Sequence, residues 1–274
     1  MKKTALITGA SSGIGHELAL IHAKHGDDLV LVARNKNKLK QTKLHLENKF
    51  KINVLVIGKD LSIKDAAEEV YHEVRNNNLT IDYLINNAGF GDYGFFHDSD
   101  WNKLERMISL NITALTQFTK LFVNDMIAQG SGKIMNVAST AAFQSGPMMA
   151  VYFATKAYVL SFSEAINNEL KDTGITVTAL TPGATESGFM EAASIQDSKL
   201  FTGRKLPSAK EVAEYGYKAM MEGKPVAIHG ILNYLVANGV RFLPRSLVVK
   251  LTRLVTGQGQ NQPGEARNEY QQMK

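Results

Sequence analysis

Short apolar runs recur along the chain, each followed by a segment with helical periodicity, and this alternation constrains the fold more than any other feature. The plainest run, Leu29-Val-Leu-Val-Ala33, is apolar at every position. A strand with one wet face would alternate, so this one belongs to a sheet covered on both sides. Ala5-Leu-Ile7, Val54–Ile57, Asp82–Ile85, Lys133–Val137, Ile175–Leu180 and Val226–Ile228 read as further strands. Helices are expected after Gly13, over Lys36–Lys49, Lys64–Val74, Trp101–Ala128, Val151–Leu170 and Lys210–Glu222. Asp98, Ser99 and Asp100 are the cap candidates for the fourth of these helices. Strand–helix alternation of this kind predicts an α/β fold with a doubly wound parallel sheet and helices on both faces. Right-handed crossovers then bring every strand's C-terminal end to one edge, where ligands bind.

No Pro- or Ser-rich linker divides the 274 residues. One domain over 1–230 is expected, then an apolar and basic helical appendix over 231–256 and a flexible tail over 257–274. The chain has no cysteine. That excludes disulfides, thiolate nucleophiles and thiolate metal sites, and permits the reducing cytoplasm expected here. The seven histidines are scattered without ligand spacing, so no metal is expected. His22 and His25, the one close pair, are expected on the exposed side of a helix. The net charge of +5 traces to one stretch: between Gly223 and Gly264 there are five bases and no acid. With no nucleic-acid-reading motif present, no nucleic-acid partner is expected. The apolar run after Lys2-Lys3 ends at Thr8-Gly9, too early for a signal peptide, and no run approaches membrane-spanning length.

Three constellations carry chemistry. Thr8-Gly9-x-x-x-Gly13-x-Gly15 falls between the first strand and first helix, where glycines let backbone approach a pyrophosphate held at a helix N-terminus. At the end of the second strand, where an acid would hold the ribose hydroxyls of NAD, the chain has Arg34. A guanidinium there pairs with a 2′-phosphate, which favours NADP(H) over NAD(H). Asp27 and Asp28 lie at that strand's start, on the far edge. Ser139 follows the fifth strand, and Tyr152 and Lys156 are spaced i, i+4 on the next helix. A neighbouring ammonium is expected to lower the phenol's pKa, making Tyr152 a general acid toward a carbonyl or a base toward an alcohol. Ser139 is placed to hydrogen-bond the same oxygen.

With TGASSGIG (8–15), NNAG (86–89), Asn111, Ser139, YFATK (152–156) and PG (182–183), the chain resembles the short-chain dehydrogenase/reductases of the compact, non-extended branch. The resemblance implies a Rossmann-like sheet of about seven strands. It implies a catalytic tetrad of Asn111, Ser139, Tyr152 and Lys156, with Asn111 helping to hold a water beside Lys156. It implies cofactor contacts from Gly9, Ser11, Ser12, Gly13, Ile14 and Gly15 of the turn. Asp60 with Leu61 would meet the adenine, and Asn87, Ala88 and Gly89 would line the cleft. Pro182, Gly183 and Thr185 would stand at the carboxamide or phosphate end, and Lys156 would hold the nicotinamide ribose alongside Tyr152.

The expected activity is NADP(H)-dependent hydride transfer to or from a hydrophobic carbonyl or alcohol substrate, carried out by a homodimer or homotetramer. A dinucleotide-binding regulatory protein without turnover is the alternative. Phe90, Tyr93, Phe95 and Phe96, with residues 184–206, are expected to line the substrate pocket. The appendix admits two readings: a cap on the cleft or subunit contact, or a weak contact with a membrane surface, which would make the protein peripheral to the membrane.

Overall fold

The computed structural model describes residues 2–186 and 206–257. The expected tail, and most of the segment expected beside Thr185 to line the substrate pocket, lie outside these residues.

Seven parallel strands form one sheet: β1 (Thr4–Thr8), β2 (Asp28–Ala33), β3 (Val54–Gly58), β4 (Tyr83–Asn86), β5 (Gly132–Val137), β6 (Ile175–Thr181) and β7 (Val226–Ile228). Their order is β3-β2-β1-β4-β5-β6-β7, all parallel, so the winding reverses between β1 and β4. The two-residue period of a strand sorts its side chains between two cores. Ala5 and Ile7 join Leu29, Leu31 and Ile85 on one face, while Leu6 joins Val30, Val32 and Leu84 on the other. Both sets are buried, which is why Ala5–Ile7 and Leu29–Ala33 are apolar at every position.

Helices α1 (Gly13–Lys24), α2 (Lys36–Phe50) and α7 (Ala209–Met221) cover the first face. The other face carries α3 (Ala66–Asn76), α4 (Trp101–Ile108), α5 (Leu115–Gln129) and α6 (Ala150–Glu169). Of the three cap candidates for α4, Asp100 does the work, its side chain accepting from the Asn102 N–H. The single long helix expected here is interrupted. Ser109–Ala114, between α4 and α5, is wound as a π-helix, and Asn111 sits on it. Two further helices, α8 (Ile231–Gly239) and α9 (Arg245–Thr256), form the C-terminal appendix.

His22 corrects the reading of its helix. It is fully buried, with Nδ1 2.7 Å from Asp27 Oδ2 and its ring against Tyr83 and Tyr217. His25 is exposed and stacks on Tyr217. Asp27 meets one ring nitrogen of this polar residue on the inner side of α1, while Nε2 is buried without a hydrogen-bond partner among the described residues.

Candidate active site

A cleft of about 420 Å³ opens at the C-terminal edge of the sheet, over the β1–β4 switch point. Its floor begins with the glycine turn. Gly9 has φ +68°, and a Cβ there would stand 2.8 Å from Asn87 Nδ2 and 2.9 Å from Ala88 Cα. Asn87 locks the turn from β4's end, donating from Nδ2 to Thr8 O at 2.9 Å, while Thr8 Oγ1 accepts from the N–H groups of Asn87 and Ala88. Ser12, the N-cap of α1, makes no side-chain cap bond, and the first turn contains no acid. The helix N-terminus therefore presents unclaimed N–H groups and the positive end of its dipole to the cleft, as an anionic ligand requires.

Asn86, the first Asn of NNAG, faces away from the cleft. It donates to Thr119 and Asn136, and Asn136 donates to Ser163, tying β4 and β5 to α5 and α6. This buried network fixes the strand ends from which the site is built.

Ser139, at the end of β5, accepts from the Ala141 N–H. Tyr152 and Lys156 project from one side of α6 into the same cleft, 8% and 5% exposed. Lys156 Nζ donates to Val137 O at 2.7 Å and lies 5.9 Å from the centre of the Tyr152 ring. The expected lowering of the phenol's pKa is not what this geometry produces. Burial pushes Tyr152 up to about 12, with a side-chain hydrogen bond to Ser139 pulling the other way. Burial also pulls Lys156 down to about 8. Desolvation disfavours the charged form of each, and one of the three Lys156 Nζ donors is taken by the Val137 carbonyl. Tyr152 is thus protonated at neutral pH, the state a proton donor needs.

Asn111 does not line the cleft. It stands behind it, its Nδ2 donating to Phe90 O at 3.0 Å and Thr155 Oγ1 at 3.1 Å, its Oδ1 accepting from the Phe90 N–H. A Cβ on Gly89 would fall 3.0 Å from Asn111 Oδ1 and 3.5 Å from Lys156 Nζ, so the three segments meet closely at this glycine. Gly15 is likewise behind the wall, packed on the Gly9 carbonyl.

The remaining expected contacts, Ser11, Ser12, Gly13, Ile14, Arg34, Asp60, Leu61, Asn87, Ala88, Gly89, Pro182, Gly183 and Thr185, all line the cleft. Thr185 is held by its own hydroxyl, which donates to Gly183 O. Arg34 is exposed and forms no ion pair among the described residues. Asp60 is engaged within the protein. One carboxylate oxygen accepts from Ser62 N–H and Oγ, the other from Arg106 Nη2 at 2.8 Å, and these bonds together with the Arg106 and Arg34 charges hold its pKa low against the opposing effect of partial burial. Arg106, Lys59 and Gln144 also line the cleft, and no sequence motif marks them. Arg106 reaches it from α4 across 46 residues of sequence, and local pattern carries no signal for such a contact.

Of the four aromatics expected to face substrate, Phe90 lines the cleft. Tyr93 instead donates to Thr256 O at 2.8 Å, Phe95 lies under the Arg253 guanidinium at 5.2 Å, and Phe96 is exposed. The 90s loop is therefore largely a seat for α9. The other appendix helix, α8, brings Asn233 against Gly183 on the cleft's rim.

The sequence model of the short chain dehydrogenase family matches residues 3–198. A short-chain dehydrogenase from Sphingobium yanoikuyae, solved in complex with NADPH, is 31% identical and superposes with a TM-score of 0.79, covering 96% of this chain and 99% of that one. The bulky-bulky ketone specific alcohol dehydrogenase from Comamonas testosteroni is 30% identical with a TM-score of 0.75, covering 97% and 98%. The human very-long-chain 3-oxoacyl-CoA reductase is 32% identical over 185 residues, 65% of this chain and 58% of that protein, so the chain spans well under two thirds of that relative's length. A parallel seven-stranded sheet with a glycine-turn cleft at its switch point defines the Rossmann-like doubly wound class. Within it, this chain belongs to the short-chain dehydrogenase/reductase family.

Proposed function

We propose that the protein is an NADP(H)-dependent carbonyl reductase or alcohol dehydrogenase with a hydrophobic substrate, and that Ser139, Tyr152, Lys156 and Asn111 are its catalytic set. The observation that carries the reading is the pairing of a buried, protonated Tyr152 with a buried Lys156 one helical turn on, at the wall of a cleft that begins in an uncapped helix N-terminus. The cleft's features fit a dinucleotide: unclaimed N–H groups at α1, a glycine cradle that a Cβ would fill, and a free guanidinium at the end of β2. When bound, the nicotinamide supplies the hydride; the protein supplies orientation and a proton.

In the reducing direction Tyr152 donates its phenolic proton to the carbonyl oxygen, and Ser139 hydrogen-bonds the same oxygen as charge develops on it. The Lys156 ammonium steadies the phenolate left behind. Asn111 keeps the Phe90 backbone and Thr155 in place behind Lys156. Arg34 meets the 2′-phosphate, and the fact that the Sphingobium relative was solved with NADPH supports that assignment. The Comamonas relative's name, bulky-bulky ketone specific, supports a large apolar carbonyl substrate, as does Phe90 on the cleft wall. A homodimer or homotetramer built through α4–α5 and α6 fits the apolar side chains those helices leave exposed, Ile127 and Tyr158 among them.

The test is oxidation of NADPH, followed at its absorbance band, against steroids, 3-oxoacyl esters, bulky aryl ketones, sugars and simple aldehydes. Turnover of apolar ketones with NADPH preferred over NADH is expected. NADPH binding without turnover of any carbonyl would overturn it in favour of a regulatory dinucleotide-binding protein.

A further inference from the structure

Eleven of the twenty large apolar side chains that are exposed among the described residues lie between Ile231 and Val255. On α9 they form a stripe, Leu247, Leu251, Leu254, that faces solvent, while Val248 and Thr256 are the buried positions. A surface helix of a soluble monomer turns its apolar stripe inward; this one turns it out. Leu232 and Leu235 are exposed on α8, and Phe242, between the two helices, is 87% exposed.

Charge decides among the occupants such a surface could take. Arg241, Arg245, Lys250 and Arg253 are interleaved with the apolar residues, and no acid occurs from Gly223 to Gly264. In a two-fold contact the patch would face its own copy, setting cations against cations with no anion to answer them. An anionic lipid surface answers both features at once, taking the apolar side chains below its headgroups and the cations among them.

We infer that the Ile231–Val255 helical pair docks on anionic lipid bilayers, lying on the surface without crossing it. No described helix is long and apolar enough to span a membrane, as a surface attachment requires. The Tyr93–Thr256 bond and the Arg253–Phe95 contact join α9 to the loop that leads from Phe90 at the cleft wall. Docking would therefore bring that loop beside the lipid. The inference stands on this surface alone and does not depend on the oxidoreductase reading.

The full-length protein would be sedimented with vesicles of phosphatidylcholine containing about a third phosphatidylserine, and with pure phosphatidylcholine vesicles. Binding to the first, weaker by about tenfold or more on the second, is expected. Leu251→Ser with Leu254→Ser, and separately Arg241→Glu with Arg245→Glu, should each cut binding about tenfold or more while circular dichroism shows an unchanged fold. Equal binding by wild type and the charge-reversed protein would overturn the proposal. So would no binding by wild type, and if the leucine variant then also changed its mass in sedimentation equilibrium, the face would be a subunit contact instead.

Discussion

At the edge of the sheet where the strands begin, His22 is closed in by Tyr83 and Tyr217, with Asp27 on its Nδ1. At the edge where they end, Tyr152 and Lys156 are buried about as thoroughly, yet both face a cleft of about 420 Å³. Burial perturbs the groups in both places: it lowers His22 and Lys156 and raises Tyr152. The difference lies in what the polar atoms have left to do. At the far edge the carboxylate takes Nδ1 and packed rings enclose the rest of the imidazole, whose Nε2 is buried without a hydrogen-bond partner among the described residues, so the pair holds α1 to the start of β2. At the near edge the Tyr152 ring, the Arg34 guanidinium and the first turn of α1 all line open space that a ligand can enter. A perturbed pKa therefore marks a functional site only where open space meets it.

Lys156→Met should break the near edge most severely, lowering kcat/KM for carbonyl reduction by about 100-fold or more while thermal stability holds. The sign of the wild-type pH profile follows from the same lysine. Tyr152, pushed up to about 12, keeps its proton across the assay range, whereas Lys156 loses its charge above about 8. Reduction should therefore fall about tenfold per pH unit above pH 8, and a profile flat to pH 10 would remove the ammonium from the mechanism.

Arg34→Asp acts at the cofactor's adenosine end. A carboxylate repels a 2′-phosphate but accepts ribose hydroxyls, so the ratio of NADPH to NADH affinity should drop by about tenfold or more in fluorescence titrations. An unchanged ratio would make Arg34 a solvated surface charge.

The far edge should respond in the opposite currency. His22→Ala, which leaves a void and an unpaired Asp27, is expected to cost about 2–4 kcal/mol in denaturant unfolding with turnover within about twofold of wild type. Because the folded protein holds His22 below its ordinary pKa, that group's stabilising contribution is present above about pH 6.5 and is lost as pH falls. The variant's stability should be flatter over that acid range.

The strands, their covering helices and the glycine turn were legible because their signals are local. Apolar runs, a glycine at φ +68° and an i, i+4 Tyr–Lys pair each announce themselves within a few residues. The burial of His22 was not legible, since its partner lies past the end of α1 and the amphipathic pattern alone puts a histidine outside. Nor was the π-turn over Ser109–Ala114, which contains no glycine or proline to mark it. The Arg106–Asp60 pair and the shift of Tyr152 depend on atoms from distant segments, and the second on desolvation, which no spacing rule encodes.

Tyr152→Phe isolates the proton donor, because it removes one oxygen and leaves the ring in its packing against Phe153. With saturating NADPH and the best ketone of the panel, unchanged NADPH affinity and a loss of about 100-fold or more in single-turnover rate are expected. A variant that reduces the ketone within a few-fold of wild type would contradict it, and would move the proton donor to another group in the cleft.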